Sequence, residues 1–167
     1  MIIIVMGVSG AGKTTIGNAL ARRLGCTFLD ADDYHPPANV AKMAQGIPLS
    51  DDDRRPWLDR VNALLRGHDS AVVACSALKR DYRERLAAGL ACCEFVYLHG
   101  TFDLLRARLQ ARQHRYMPAS LLESQFAALE PPERAIAVDV AQPPERCVEV
   151  IIAALGKEHP SSRLVDR

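Results

Sequence analysis

The sequence has no excess of charge of either sign. Its 167 residues carry 21 Lys and Arg against 20 Asp and Glu, a formal net charge of +1. A general nucleic-acid or membrane-surface binder would show a clear basic excess, so the balance argues against both, and any bound anion must be held by local clusters of Lys and Arg. Long apolar runs are also missing: nothing approaches the roughly 18 residues of a membrane span. The N-terminal MIIIVMGVSG has no basic flank and breaks into glycines, so it reads as a buried strand and not as a targeting segment. The five cysteines, Cys26, Cys75, Cys92, Cys93 and Cys147, are odd in number and form no CxxC pair. That pattern fits neither a disulfide framework nor a zinc site. They read as reduced, mostly buried, small apolar side chains of a cytoplasmic protein. No internal repeat and no low-complexity segment is present.

What remains is ordinary globular composition, 49% hydrophobic and 25% charged, at a length that buries a core of its own. The expectation is one domain over 1–156 and a polar tail over 157–167 that frays. Short apolar runs alternate with amphipathic stretches. Strands are predicted over 2–6, 27–30, 70–76, 94–98 and 135–140. Helices are predicted over 13–24, 39–45, 54–65, 79–88, 102–111, 121–129 and 145–155. Such alternation means βαβ units, hence an α/β fold with a parallel sheet and helices on both faces. The polar, proline-ended insert over 112–120 reads as a mobile lid.

Gly7, Val8, Ser9, Gly10, Ala11, Gly12, Lys13 and Thr14 match GxxxxGK followed by Ser or Thr in full. The glycines let backbone N–H groups converge on phosphate oxygens, and the following helix points its positive end at the same anion. Lys13 is expected to reach the β- and γ-phosphates, and Thr14 to offer its hydroxyl to Mg²⁺. Thr15 is either an ordinary helix-start residue or an α-phosphate contact. The loop is a P-loop, and it does not by itself choose among kinases, ATPases and GTPases. No NKxD element of a GTPase is present. The third strand ends in Ser76 where a motor or transporter ATPase has Asp.

The acidic group comes instead from LDADDYHPP, after the second strand. At the carboxyl end of a strand, Asp30 lies beside the P-loop, placed to hold Mg²⁺ through water. Asp32 projects toward an acceptor, where a carboxylate can orient and deprotonate an attacking hydroxyl. His35 either hydrogen-bonds the acceptor or packs on Pro36 and Pro37. Arg54, Lys79 and Arg80 form a candidate site for a substrate carboxylate. Arg83 reads as the exposed face of a helix. Arg108 and Arg112, four apart, can place one guanidinium on adenine and the next on the phosphates. Arg115 either closes over the transferring group or forms a surface ion pair.

Five segments together, GVSGAGKTTIG, DADDYHPPANVAKMAQGIPLSDDDRRPWL, ACSALKRDYRERL, FVYLHG and HRYMPASLLESQF, resemble the gluconate kinase family, within the shikimate and nucleoside-monophosphate kinase group. The resemblance spans about residues 4–130; beyond Glu133 it thins to VDVAQPPE. It implies phosphorylation of D-gluconate to 6-phospho-D-gluconate with ATP and Mg²⁺, a five-stranded parallel sheet, a closing lid and often a homodimer. By position it implies that Asp32, His35, Arg54, Lys79 and Arg80 contact gluconate. Arg108 and Arg112 would serve ATP, with Gln142 and Pro143 near adenine. Ala31, Tyr34 and Ala119 depart from the family pattern, and none removes a group the chemistry needs. Lys13, Asp32 and Arg112 are the expected catalytic set. The alternatives are a kinase for another small hydroxy acid such as shikimate, although ACSALK stands where a GGG-type loop is expected, and an ATP-binding regulatory protein without turnover.

Overall fold

The structure is a computed structural model that describes residues 1–111 and 119–158. Five strands form one all-parallel sheet: β1 (Ile2–Met6), β2 (Thr27–Asp30), β3 (Ala71–Ala74), β4 (Cys93–His99) and β5 (Ile136–Asp139), in the order β2-β3-β1-β4-β5. The helices are α1 (Lys13–Leu24), α2 (Pro37–Ala44), α3 (Asp51–Leu65), α4 (Arg80–Ala87), α5 (Phe102–Gln110), α6 (Ala119–Ala128) and α7 (Pro144–Glu158). This is an open, doubly wound α/β architecture, a parallel sheet covered on both faces.

β1 is buried along its whole length, as a central strand with helices on both sides must be. Its alternate residues feed two cores. Ile3 and Val5 join Ile16, Leu20, Val96, Leu98 and Ile151 beneath α1 and α7. Ile2, Ile4 and Met6 join Trp57, Leu58, Val61, Val73 and Leu86 beneath α3 and α4. β5 is an edge strand whose residues alternate between buried and exposed.

Strand order reverses at β1, with β3 on one side and β4 on the other. Ligands bind at such a switch point, outside the carboxyl ends of the strands. The P-loop follows β1 there, and the N–H of Gly7 donates to the carbonyl of Ser76, two residues past the end of β3 (3.2 Å).

The bounds of β1, α1 and β2 are those read from sequence. α3 begins three residues earlier than periodicity indicates, at Asp51. A capping box sets that start: Ser50 Oγ accepts from the Asp53 N–H (3.1 Å), and Asp53 Oδ2 accepts from the Ser50 N–H (2.9 Å). A 3₁₀ turn over Ala31–Tyr34 was not predicted; Asp30 caps it by accepting from the Asp32 N–H. α7 runs to Glu158, two residues past the predicted domain boundary. Arg112, Arg115 and positions 112–118 of the expected lid lie outside the described residues, as do 159–167 of the expected tail. Among the described residues, no helix is long and apolar enough to cross a membrane.

Candidate active site

The P-loop geometry explains its glycines. Gly7 has φ of 142°, and a Cβ there would stand 2.5 Å from the carbonyl oxygen of Leu98. Gly10 has φ of 83°, and a Cβ would stand 2.9 Å from the carbonyl oxygen of Leu105. Both conformation and space exclude a side chain. The loop wraps the N-terminus of α1, which begins at Lys13. Lys13 Nζ donates to the Val8 carbonyl (3.1 Å), folding back across the loop. The Ser9 N–H donates to Oε1 of Gln125 on α6 (2.7 Å).

Gly10, Ala11, Gly12 and Thr15 share a small recess of about 140 Å³ with Arg108, Val140 and Gln142. The Arg108 guanidinium donates to the Val140 carbonyl. The carbonyl of Pro143 accepts from Arg146 and Cys147 in the first turn of α7 (3.0 and 3.1 Å). Arg108 and Gln142, two of the expected nucleotide-side residues, therefore lie along one edge of the P-loop.

Thr14 Oγ1 donates to Asp30 Oδ2 across 2.9 Å. A hydroxyl and a carboxylate here are hard oxygen donors that fit Mg²⁺, which takes one or two protein carboxylates and completes its shell with phosphates and water. Proximity of the β2 end to the start of α1 creates this pair.

On the acceptor side a cleft of about 450 Å³ is lined by Ser9, Lys13, Asp32, His35, Arg54 and Gln125, with Met43, Leu49 and Trp57 as its apolar wall. The 3₁₀ turn directs Asp32 outward, where its side chain is 59% exposed, while that of His35 is 3% exposed. His35 stacks on Trp57, with ring centroids 4.0 Å apart and 17° between planes. Burial holds the His35 pKa below 6.5; Asp32 pulls it up and Arg54 pushes it down. Arg54 is anchored by donation to the Leu49 carbonyl.

The second basic group divides. Lys79 Nζ donates to both oxygens of Asp51 (2.8 and 2.9 Å), and Tyr82 Oη donates to the same carboxylate. Lys79 and Arg54 each lie 5.6 Å from the centre of the Tyr82 ring, so Lys79 stands near Arg54 but is held by Asp51. Those hydrogen bonds lower the Asp51 pKa and raise that of Lys79. Arg80 is not brought into the cleft. Its guanidinium pairs with Glu84 one turn on (2.7 Å), its side chain is 74% exposed, and it borders a separate depression with Glu130 and Glu133.

Arg83 corrects the sequence reading outright. It is buried, and Nη1 donates to the carbonyls of Ala77, Leu78 and Glu130. Ala77 has φ of 45°, the one positive φ outside glycine among the described residues. A buried guanidinium thus holds the strained turn that leads from Ser76 to Lys79. Sequence reasoning also passed over Asn39, Asp51, Tyr82 and Gln125. Only Asn39 carried a local signal, one helical turn after His35.

The arrangement sets phosphate donors, a carboxylate and a cation around one cleft. A shikimate kinase family model matches residues 9–133. A gluconokinase from Gluconobacter oxydans is 48% identical over 158 residues, covering 90% of this chain and 88% of that protein. The chain belongs to the gluconokinase family. A gluconokinase crystal structure from Sinorhizobium meliloti 1021 superimposes with a TM-score of 0.88 at 45% identity, over 93% of this chain and 91% of that one. Shikimate kinase from Aquifex aeolicus, at 18% identity and a TM-score of 0.62 over 97% of this chain and 100% of that one, shares the fold alone. Membership in the gluconokinase family thus rests on relatives that span nearly the whole chain.

Proposed function

We propose that this enzyme transfers the γ-phosphoryl group of ATP to the 6-hydroxyl of D-gluconate, giving 6-phospho-D-gluconate. The observation that carries the reading is the cleft joining Ser9 and Lys13 of the P-loop to Asp32, His35 and Arg54, in a chain 48% identical to a named gluconokinase.

Lys13 and the loop N–H groups hold the phosphates, with Arg108 and Gln142 beside the nucleotide. Asp32 accepts the proton of the attacking hydroxyl, a role its exposure to the cleft supports. Arg54 binds the substrate carboxylate as a bidentate partner. Lys79 joins it at the rim, exchanging part of its hold on Asp51. Arg80 has no part in this site, because Glu84 and solvent take its guanidinium. Arg112 and Arg115, from the 112–120 segment, stabilise the transferring group as a lid closes. Thr14 and Asp30 would hold Mg²⁺, which when bound neutralises phosphate charge.

The resemblance further supports a homodimer, and the five free cysteines suit a reducing, cytoplasmic setting. We place the end of the kinase domain at the end of α7, Glu158, two residues beyond the boundary of 156 expected from sequence.

A coupled ADP-release assay tests the reading. Purified protein, ATP and Mg²⁺ are offered D-gluconate, shikimate, glycerate and a nucleoside monophosphate in turn. Release with gluconate alone is expected. Release with shikimate or a nucleotide instead would overturn the acceptor assignment.

A further inference from the structure

We propose that Asn39 is a positioning residue that fixes His35 in the tautomer protonated on Nε2, so that His35 and Asp32 together present one donor and one acceptor to a substrate hydroxyl. The proposal rests on the reading of the cleft as the acceptor site.

Asn39 lies on α2, one turn after His35, and is 3% exposed. Its Nδ2 donates to the backbone carbonyl of Asp53 (2.9 Å) and lies 3.3 Å from Nδ1 of His35. A backbone carbonyl can only accept, so the amide nitrogen, not the amide oxygen, must face Asp53. That settles the orientation of the amide. The second N–H of the same nitrogen then serves His35 Nδ1. A protonated Nδ1 would set two donors against each other in a buried place, at the cost of an unpaired polar group. Nδ1 therefore keeps its lone pair, and the ring proton sits on Nε2.

Stacking fixes the plane of the ring, and the Asn39 contact selects which edge of it carries Nδ1. The ring is stacked on Trp57, whose own Nε1 donates to the Ala31 carbonyl (2.7 Å). Nε2 stands 3.8 Å from Oδ1 of Asp32. That is too long for a direct hydrogen bond. It suits a hydroxyl oxygen that touches both groups, accepting from Nε2–H and donating to the carboxylate. Only a hydroxyl satisfies both, because a keto oxygen has no proton to give and a deoxy carbon offers neither. The charged groups bearing on the ring are Asp32 of the 3₁₀ turn and Arg54 of α3, with neutral Asn39 on the α2 side. Burial and Arg54 together keep the imidazole neutral against the pull of Asp32.

The test reads the tautomer directly. Full-length protein labelled with ¹⁵N-histidine, without substrate, is examined by long-range ¹H–¹⁵N correlation, with His35 assigned by the signals lost in His35→Gln. A bare Nδ1 and a protonated Nε2 are expected; a protonated Nδ1 in the wild type overturns the proposal. In Asn39→Asp the new carboxylate cannot donate, so the proton moves to Nδ1 or the ring takes up a second one. With it, KM for gluconate rises about tenfold while KM for ATP holds, as the loss of one aligned hydrogen bond predicts. An unmoved proton, or a moved proton with unchanged KM, overturns the assigned role. Should Asn39→Asp fail to fold, the wild-type spectrum alone decides. Because that spectrum needs no substrate, failure to turn over gluconate would sink the functional reading separately and leave the tautomer assignment standing.

Discussion

The hydroxyl of Thr14, first after the P-loop lysine, donates to the carboxylate of Asp30 at the end of the second strand (2.9 Å). The hydroxyl proton is thus committed to Asp30, which leaves the Thr14 oxygen its lone pairs, the donor that Mg²⁺ would require. Asp30→Asn removes the charge while keeping the shape. The expected outcome is a rise of about 10- to 100-fold in the Mg²⁺ concentration for half-maximal activity, the range typical of lost ligand-supporting contacts, with thermal stability nearly unchanged. A Mg²⁺ dependence identical to wild type would remove Asp30 from metal binding.

Asp32 is well exposed to the cleft, so its replacement should act on turnover and not on the fold. Asp32→Asn is expected to lower kcat by about 10²- to 10⁴-fold, the range of general-base contributions, with KM for ATP little changed. Steady-state kinetics with both substrates varied checks this, and wild-type turnover in the variant would assign the proton acceptor elsewhere.

Arg83 satisfies three backbone carbonyls from a buried position. Truncating it to Met keeps the stem and strands those acceptors. A loss of about 2–4 kcal/mol in unfolding free energy is expected, from unpaired buried polar groups. Arg83→Lys should recover little of it, since one ammonium cannot reproduce the planar fork. Urea unfolding of the three proteins measures the differences. A loss below about 0.5 kcal/mol, the range of ordinary surface changes, would contradict the structural role.

Asp53 accepts from Lys42 and from Ser50, and these bonds hold its pKa at about 2, below the usual 3.8. A depressed folded-state pKa contributes stability that is complete above the unfolded value and lost as pH falls through the folded one. The window is therefore about pH 4 down to about 2. Lys42→Met removes the hydrogen bond that does most to lower this pKa, so the urea midpoint should fall less steeply over that window than in wild type. Equal slopes for the two proteins would show that the Lys42 contact contributes nothing to acid stability.

Much of this was legible in the sequence where local rules suffice. The P-loop carries its own geometry, because Gly7, Gly10 and Gly12 adopt φ of 142°, 83° and 90°, which favour glycine whatever packs around them. β1, α1 and β2 follow from an apolar run, a helical period and Gly25 as a stop. The start of α3 was readable too, in the Ser50–Asp53 spacing, but the hydrophobic period begins later and drew the boundary inward.

Local pattern failed where a partner is distant in the chain. Arg80 and Arg83 sit on the same short helix and look alike as residues. One meets Glu84, a turn away, and stays in water; the other meets the Glu130 carbonyl, 47 residues on, and is buried. Lys79 looked like a free cation because Asp51, 28 residues earlier, is not its neighbour in sequence.

By itself the sequence determined the P-loop, the α/β alternation and the set of groups available for phosphoryl transfer, because these depend on backbone sterics, side-chain period and residue chemistry within a few positions. Only the tertiary structure decided which cations face the cleft, where Asp51 and Arg83 spend their hydrogen bonds, and how Asn39 and Trp57 fix His35. Those outcomes depend on which buried donors and acceptors the packed elements bring within about 3 Å of each other, and burial makes each such group find a partner.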